Sequence, residues 1–522
     1  MTQSNLALMI SNKVSVFLLM FGVFSCTTPE NKVLLTFQVD LSKSLDEVLD
    51  PNSIGILGIP PLLSMQERTR MQSTEQDGIY NLSLEIPDSL IGERLVFLYV
   101  VDTSRFENLR YGARVVKIPE ISDTLPLVHF NEFGDASGDQ ILLSPPIKVF
   151  RTNTPEEKSA LEDPFVGITI DGKPMQNLYA TIITGVETQS LRDAVDSFIN
   201  SLTPDQRKNT LFEIESDEWR KWHNIEWYER QGLGLFEMND DQKQLAFNIL
   251  KASLSAKGFQ KSKNIMAMEG YLKQLVIKEQ QISQERIDLL GHDKFYFTIM
   301  GIPSESEPWG WQIDGHHLVI NYFVLGDQVV MTPTFMGSEP NYIEEGPDAG
   351  VRTFYEEEKK GLTLYQSLDV DQKEKATLWD KKEYQFNQSE AFQDNQVIPY
   401  QGIKVSFLSV EQKELLIALI EEYVGDIKSE HAEIKMTEVK QHLDDTWFSW
   451  VGGDTEDDVF YYRIHSPVIL IEFDHHGPTF LWDRNKPHPG PVKWHVHTVV
   501  RTPNGNDYGK DLLRQHLERH PH

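Results

Sequence analysis

Four segments of the chain open helices in the same way. Thr203-Pro204-Asp205-Gln206, Asn239-Asp240-Asp241-Gln242, Asp369-Val370-Asp371-Gln372 and Ser409-Val410-Glu411-Gln412 each set a capping residue three positions ahead of a glutamine. Each has an acid just before the glutamine and a Lys or Arg just after it. In such a box the capping oxygen accepts one free amide of the first turn, and the glutamine reaches back to the amide of the cap. The acid suits the positive end of the helix. Four helix starts are thereby fixed in one stretch of chain. Ser409 opens the clearest helix, with Leu415, Leu416, Leu419, Ile420 and Tyr423 on one stripe. The recurrence fits a duplicated two-helix unit. It fits independent use of good capping chemistry equally well.

Strand-like stretches separate these helical pairs. Phe295–Met300, Trp309–Val324 and Val329–Thr332 form one group, and Phe460–Arg463, Val468–Phe473 and Trp494–Arg501 form another. Antiparallel strands between helical pairs make residues 156–522 an α+β unit. The chain before it differs. Val33–Leu41, Ile79–Ile86 and Arg94–Val101 are short strand-like runs divided by Asp, Gly and Pro turns, which predicts a small all-β sandwich over 33–128. Residues 129–155, with the Pro145-Pro146 pair, read as a linker.

The one cysteine is Cys26, which excludes an intrachain disulfide and any multi-cysteine zinc site. An apolar run, Val14–Ser25, stands before it, with Lys13 ahead and polar Thr27-Thr28-Pro29-Glu30 behind. The run is too short to span a bilayer as a mature helix, and its layout is that of a secretory signal. Val23-Phe24-Ser25-Cys26 resembles the bacterial lipobox, where cleavage leaves the cysteine as a lipid-bearing first residue. Phe24 departs from the small or branched residue usual there. The expectation is a signal at 1–25, a lipidated tether at 26–32, and an exported protein anchored through Cys26 on the periplasmic side or the cell surface. Acyl chains at such a cysteine give stable anchoring. The formal charge of −30 argues against a nucleic-acid partner, because that affinity rests on Lys and Arg neutralising phosphates.

Chemistry gathers near the C-terminus, where nine of the sixteen histidines fall within the last 58 residues. In a strand, alternate side chains share a face, so His495, His497 and Arg501 point one way. Two imidazoles spaced H-x-H are about 7 Å apart at the backbone, close enough to share one ion. Imidazole suits zinc, copper, iron or nickel. Candidates for a third ligand are Glu472, Asp474, His475, His476 and the adjacent pair His316-His317, only one of which can face a given side of a strand. Glu472, a lone acid in an apolar run, reads as a ligand, a general base or the partner of Arg463 or Arg501. Arg501 reads as a holder of an anionic group. Trp309 and Trp311 are expected to wall a pocket, with Asp474 and His516 beside it. His516 and His520 also share a helix face near a C-terminus. His-Val-His-Thr resembles the histidine-triad hydrolases, but Val499 stands where their third histidine would be. There is no nucleophile elbow and no phosphate-binding loop.

Two resemblances extend these readings. The order TFQVDLS, DGIYNLSLEIP, RLVFLYVVD resembles starch-binding-like and immunoglobulin-like sandwiches over roughly 90 residues. No tryptophan precedes Trp219, so the stacking faces of sugar-binding versions are missing, and a spacer or docking role is expected over carbohydrate binding. PFVGITIDGKPMQNLY, LTPDQRKNTLFEIESDEWRKW, PWGWQIDGHHLVINYF, TPTFMGSEP and HVHTVVRTPNGNDYGKDLLRQH are similar to a bacterial family known as domain of unknown function 3500, over about residues 155–520. The resemblance implies secreted or lipid-anchored proteins and supplies no activity. His495, His497, Arg501, His316, His317, Glu472, Asp474 and His516 match positions of that family. The reading is a metal-dependent enzyme of hydrolytic or oxidative type at the cell surface, with a small molecule or a carbohydrate as candidate ligand. The alternative is a non-catalytic lipoprotein that binds a ligand or serves as a scaffold.

Overall fold

The computed structural model describes residues 33–130 and 153–520, apart from 43–53, 59–61, 64–67, 75–77, 93, 102–104, 107–113, 280–283, 384 and 483–487. The signal at 1–25, the tether at 26–32 with Cys26, and most of the linker at 129–155 lie outside the described residues. Among the described residues no helix is long and apolar enough to cross a membrane.

The N-terminal part is all-β. Val33–Asp40 pairs antiparallel with Ile79–Ile86, and its alternation buries Val33, Leu35, Phe37 and Val39. A second small sheet pairs Gly55–Gly58 with Arg94–Val101. Both sheets feed one apolar core, where the ring of Phe37 meets Phe97 edge-on at 4.9 Å.

The larger part is α+β. Its first run comprises α1 (Gln189–Ser201), α2 (Pro204–Thr210), α3 (Asp240–Ser253), α4 (Ala256–Glu279), β1 (Phe295–Met300), β2 (Trp309–Gly315), β3 (Leu318–Leu325) and β4 (Thr334–Ser338). The second comprises α5 (Tyr355–Gln366), α6 (Val370–Ala376), α7 (Val410–Val424), α8 (Ser429–Gln441), β5 (Trp447–Gly452), β6 (Phe460–His465), β7 (Leu470–His475) and β8 (Val496–Arg501). A last helix, α9, spans Lys510–Arg519. All four expected capping boxes form. Their glutamines also tie neighbouring helix starts together. Gln242 donates to Gln206 Oε1 at 2.9 Å, and Gln412 donates to Gln372 Oε1 at 2.7 Å.

One large sheet joins the two runs in the order β1-β2-β3-β4-β8-β7-β6-β5, which reads the same from either edge. The registers repeat as well. Gln312 faces Asn321 across β2–β3, as Arg463 faces Glu472 across β6–β7. One residue along, Trp311 stacks on Tyr322 at 5.3 Å and Tyr462 stacks on Phe473 at 5.1 Å. Gly232 and Gly402 have φ of +93° and +94°, and a Cβ there would stand 2.3 and 2.1 Å from the Phe297 and Phe448 carbonyls. Only glycine accepts both that conformation and that approach. The recurring caps therefore mark a duplication, and the convergence alternative is set aside. Helices of both copies cover one face of the sheet over a shared core. Where the copies meet, β4 lies antiparallel to β8. At one end of this pair, the β2–β3 turn, the end of β4, the end of β7 and the start of β8 converge.

Candidate metal centre

At that meeting point the structure gathers imidazoles. Ligand atoms of His317, His495 and His497 all lie within 4.8 Å of one another, and all three residues are buried. Local structure aims each ring. His316 and His317 form the turn between β2 and β3, and His317 takes a left-handed φ of +63°, a conformation for which histidine is enriched. Because both residues sit in the turn rather than in a strand, both rings point the same way. Their centroids lie 3.8 Å apart with the rings tilted by 31°, and their Nδ1 atoms approach opposite oxygens of Glu269 on α4, at 2.8 Å for His316 and 2.6 Å for His317. The one-side-only expectation for this pair is corrected by the turn. His497 lies on β8 opposite Gly337 and Asp474. His495 stands just ahead of that strand, on the same face as His497.

The hydrogen bonds fix which nitrogens are available. His495 Nδ1 lies 2.7 Å from the Gly477 carbonyl, which can only accept, so Nδ1 carries the proton. His497 Nδ1 lies 2.9 Å from Glu390 Oε1. With Glu390 ionised, His497 Nδ1 carries its proton as well, and both Nε2 atoms then present lone pairs that face each other at 3.0 Å. Two lone pairs at that distance repel unless a cation or proton sits between them. His317 has its Nδ1 on Glu269, so Nε2 is the nitrogen it has to offer. Three imidazoles, each anchored through Nδ1 on a carboxylate or backbone carbonyl, make the arrangement that fixes tautomer and ring orientation at metal sites. Three nitrogen ligands with a further position open suit a tetrahedral ion such as zinc.

The electrostatics agree. Burial, reinforced by neighbouring imidazoles, lowers His317 to about 4 and holds His495 and His497 well below the usual imidazole range. Burial opposes charge on His316 too, but the Glu269 carboxylate outweighs it and raises His316. Burial works against the Glu269 charge, yet the two imidazoles win and hold Glu269 at about 2. Proton competition for the ligands is therefore displaced to acid. Three ordinary imidazoles would lose affinity roughly a thousandfold per pH unit below about 6.5. Here metal affinity should change little from pH 7 to 5.5 and fall steeply only towards pH 4. Equilibrium dialysis across that range checks this, and release already complete at pH 5.5 would contradict it.

Gly337 makes room for the rings. A Cβ there would meet the Val496 carbonyl at 2.8 Å, His317 Cδ2 at 2.9 Å and His497 Cδ2 at 3.1 Å. Gly337→Ala should cost about 1–3 kcal/mol by overpacking and weaken metal binding at least tenfold. Urea unfolding and metal titration of this variant measure the two effects, and wild-type values in both would count against this account of the site.

The other sequence-predicted residues stand elsewhere. Glu472 is not grouped with the imidazoles. Its carboxylate accepts from the Gln388 and Ser389 amides, the Ser389 hydroxyl and Tyr461 Oη, so it anchors the 388–389 loop. Arg501 is fully buried and already satisfied by protein groups. It donates to the Ser389 and Glu390 carbonyls, to Asp394 at 2.8 Å and to Asp507 at 3.3 Å. Asp474 accepts from the Phe386 amide and pairs with Lys382 and His476. His476 stacks on His497 at 3.8 Å, and Glu390, His476 and His497 form a further group of convergent ligand atoms. Trp309 and Trp311 are fully buried. They lie in the core between sheet and helices, where Trp311 Nε1 donates to Ser253 Oγ. His516 pairs with Glu307 and packs on His520. Sequence reasoning missed Glu269 and Glu390. Glu269 carried one signal, an acid on the buried face of an amphipathic helix. Glu390, in a polar loop, carried none.

No curated protein matches the chain. A family model described as Protein of unknown function (DUF3500) matches residues 184–510, a stretch that contains both copies of the duplicated unit and all three convergent imidazoles. The chain belongs to that family of proteins of unknown function.

Proposed function

We propose that the protein is an exported lipoprotein, anchored to a bacterial membrane through Cys26, whose C-terminal unit binds one divalent transition metal through His317, His495 and His497 and uses it in hydrolytic or oxidative chemistry on a small molecule. The observation that carries the metal reading is the pair of facing lone pairs on His495 and His497 at 3.0 Å, with His317 beside them. A bound ion would supply Lewis acidity or a redox couple. The chain's own groups then hold geometry: Glu269, Glu390 and the Gly477 carbonyl orient the imidazoles, while Arg501 and Glu472 pin the loop that carries Glu390. The division into a β-sandwich spacer at 33–128, a linker at 129–155 and a functional unit at 156–522 belongs to the same proposal.

Metal analysis of the full chain, purified without a histidine tag and reconstituted with zinc, copper, iron or nickel, tests it. About one ion per chain is expected, and none after reconstitution would overturn it. The second reading is a non-catalytic, structural or ligand-binding centre. The depth of the site favours it, since His317 is 1% and His495 2% exposed. Cobalt-loaded protein separates the two: azide should change its visible spectrum if a coordination position is open, and leave it unchanged if the centre is closed. Fatty-acid labelling of wild type against Cys26→Ala tests the anchor, and equal labelling would exclude it.

A further inference from the structure

The duplication predicts a second location equivalent to the histidine centre, at the opposite end of the β4–β8 pair. The register identifies it. Val319 pairs with Phe335 in the first copy and Leu470 with Arg501 in the second. Gln312 and Asn321 correspond to Arg463 and Glu472, an offset that makes Val319 the counterpart of Leu470 and Phe335 that of Arg501. Hydrogen bonds obey the same relation: Thr498 Oγ1 donates to the backbone of Met336, and Thr332 Oγ1 to the side chain of Thr502. Under it, the counterparts of His317, His495 and His497 are Val468, Val329 and Met331. All three ligands are replaced by apolar residues.

What stands there is a small cavity of about 90 Å³, opening into an outer chamber of about 360 Å³ with which it shares Val329, Val330, His431, Lys435, Glu438 and Asn506. The outer chamber has the volume of a small-molecule site, and the inner cavity extends it past His431. The inner walls are largely apolar, with Met331, Met336, Ile469 and Val500 facing threonine hydroxyls. His431, on the first turn of α8, lines both chambers and is only 5% exposed. Its ring makes no hydrogen bond among the described residues. Burial, with Lys428 nearby, lowers it to about 4, so it offers one donor and one acceptor at neutral pH. Lys435 and Glu438 follow on the same helix face and pair with each other at 3.2 Å. Lys261 is already held by Asp426 and Glu357. The charged groups of the cavity are thus ion-paired, although Asp426 Oδ1 and Glu438 Oε1 each lack a hydrogen bond, and the neutral imidazole has no hydrogen-bond partner among the described residues.

We infer that the outer chamber, with the inner cavity behind it, is a metal-free binding site for a small, uncharged, mainly apolar organic molecule whose single hydroxyl or carbonyl group meets His431. The inference stands independently of the metal reading. The probe is N-phenyl-1-naphthylamine, a neutral apolar fluorophore, titrated into the full chain. Saturable one-to-one enhancement is expected, weakened at least tenfold by Val330→Trp, which narrows the passage between the chambers. Equal binding by the folded variant, or no saturable binding by wild type, would overturn the inference. Hydrogen exchange of the unmodified chain gives a second measurement should the variant not fold. The probe should protect residues 328–334 and 429–438, and protection confined to other segments would contradict the site.

Discussion

Replacing Arg501 with methionine should cost about 3–5 kcal/mol of stability, the range for breaking a buried ion pair by removing one partner. Arg501 is 0% exposed and serves two buried carboxylates and two backbone carbonyls at once. Its removal leaves Asp394 with Arg220 at 2.8 Å, but leaves Asp507 without a cation. Arg501→Lys should recover only part of the loss, because an ammonium cannot reproduce the planar fork that spans the Ser389 and Glu390 carbonyls. Metal affinity should fall in parallel, because the same loop carries Glu390 to His497. Chemical unfolding of both variants decides the matter. An arginine placed to hold a substrate anion could be removed with little change in stability, so a loss below about 1 kcal/mol would favour that role and contradict the positioning role.

The second large effect concerns Glu269. One carboxylate fixes both rings of the β2–β3 turn, and it does so from a helix 47 and 48 residues away in the chain. Loss of an outer partner of a ligating histidine weakens metal binding about 10–100-fold. Glu269→Ala should lie at the upper end, because His317 loses its orientation and His316 its ion pair together. Glu269→Gln should lie lower, since one oxygen still accepts from one ring. Glu390→Ala should weaken binding by a similar factor through His497. Competition against a chelator of known affinity measures all three, and wild-type affinity in Glu269→Ala would exclude the orienting role.

These expectations show which parts of the molecule were legible in its sequence. The capping boxes were, because every atom they use lies within four residues. The H-x-H alternation was too, since a strand's period of two is local; it placed His497 and Arg501 on one face and brought His495 with them. The duplication could not be decided, because the matched positions hold Gln312 against Arg463 and Asn321 against Glu472, a likeness that only the sheet register reveals. The roles of the charged residues were legible only in part. A lone acid in an apolar run, such as Glu472, announces burial but not who satisfies it. The answer lay in a loop 83–84 residues upstream in the chain. Likewise Trp309 and Trp311 read as pocket walls from composition, whereas the fold uses their area in the helix–sheet core.

Whether three imidazoles share one ion is decided by X-ray absorption on the zinc-loaded full chain. One zinc per chain with three imidazole nitrogens at about 2.0–2.1 Å is expected, and His317→Ala should lower the imidazole count to two. Zinc absent after loading, or an unchanged imidazole count in the His495→Ala/His497→Ala double variant, would contradict it.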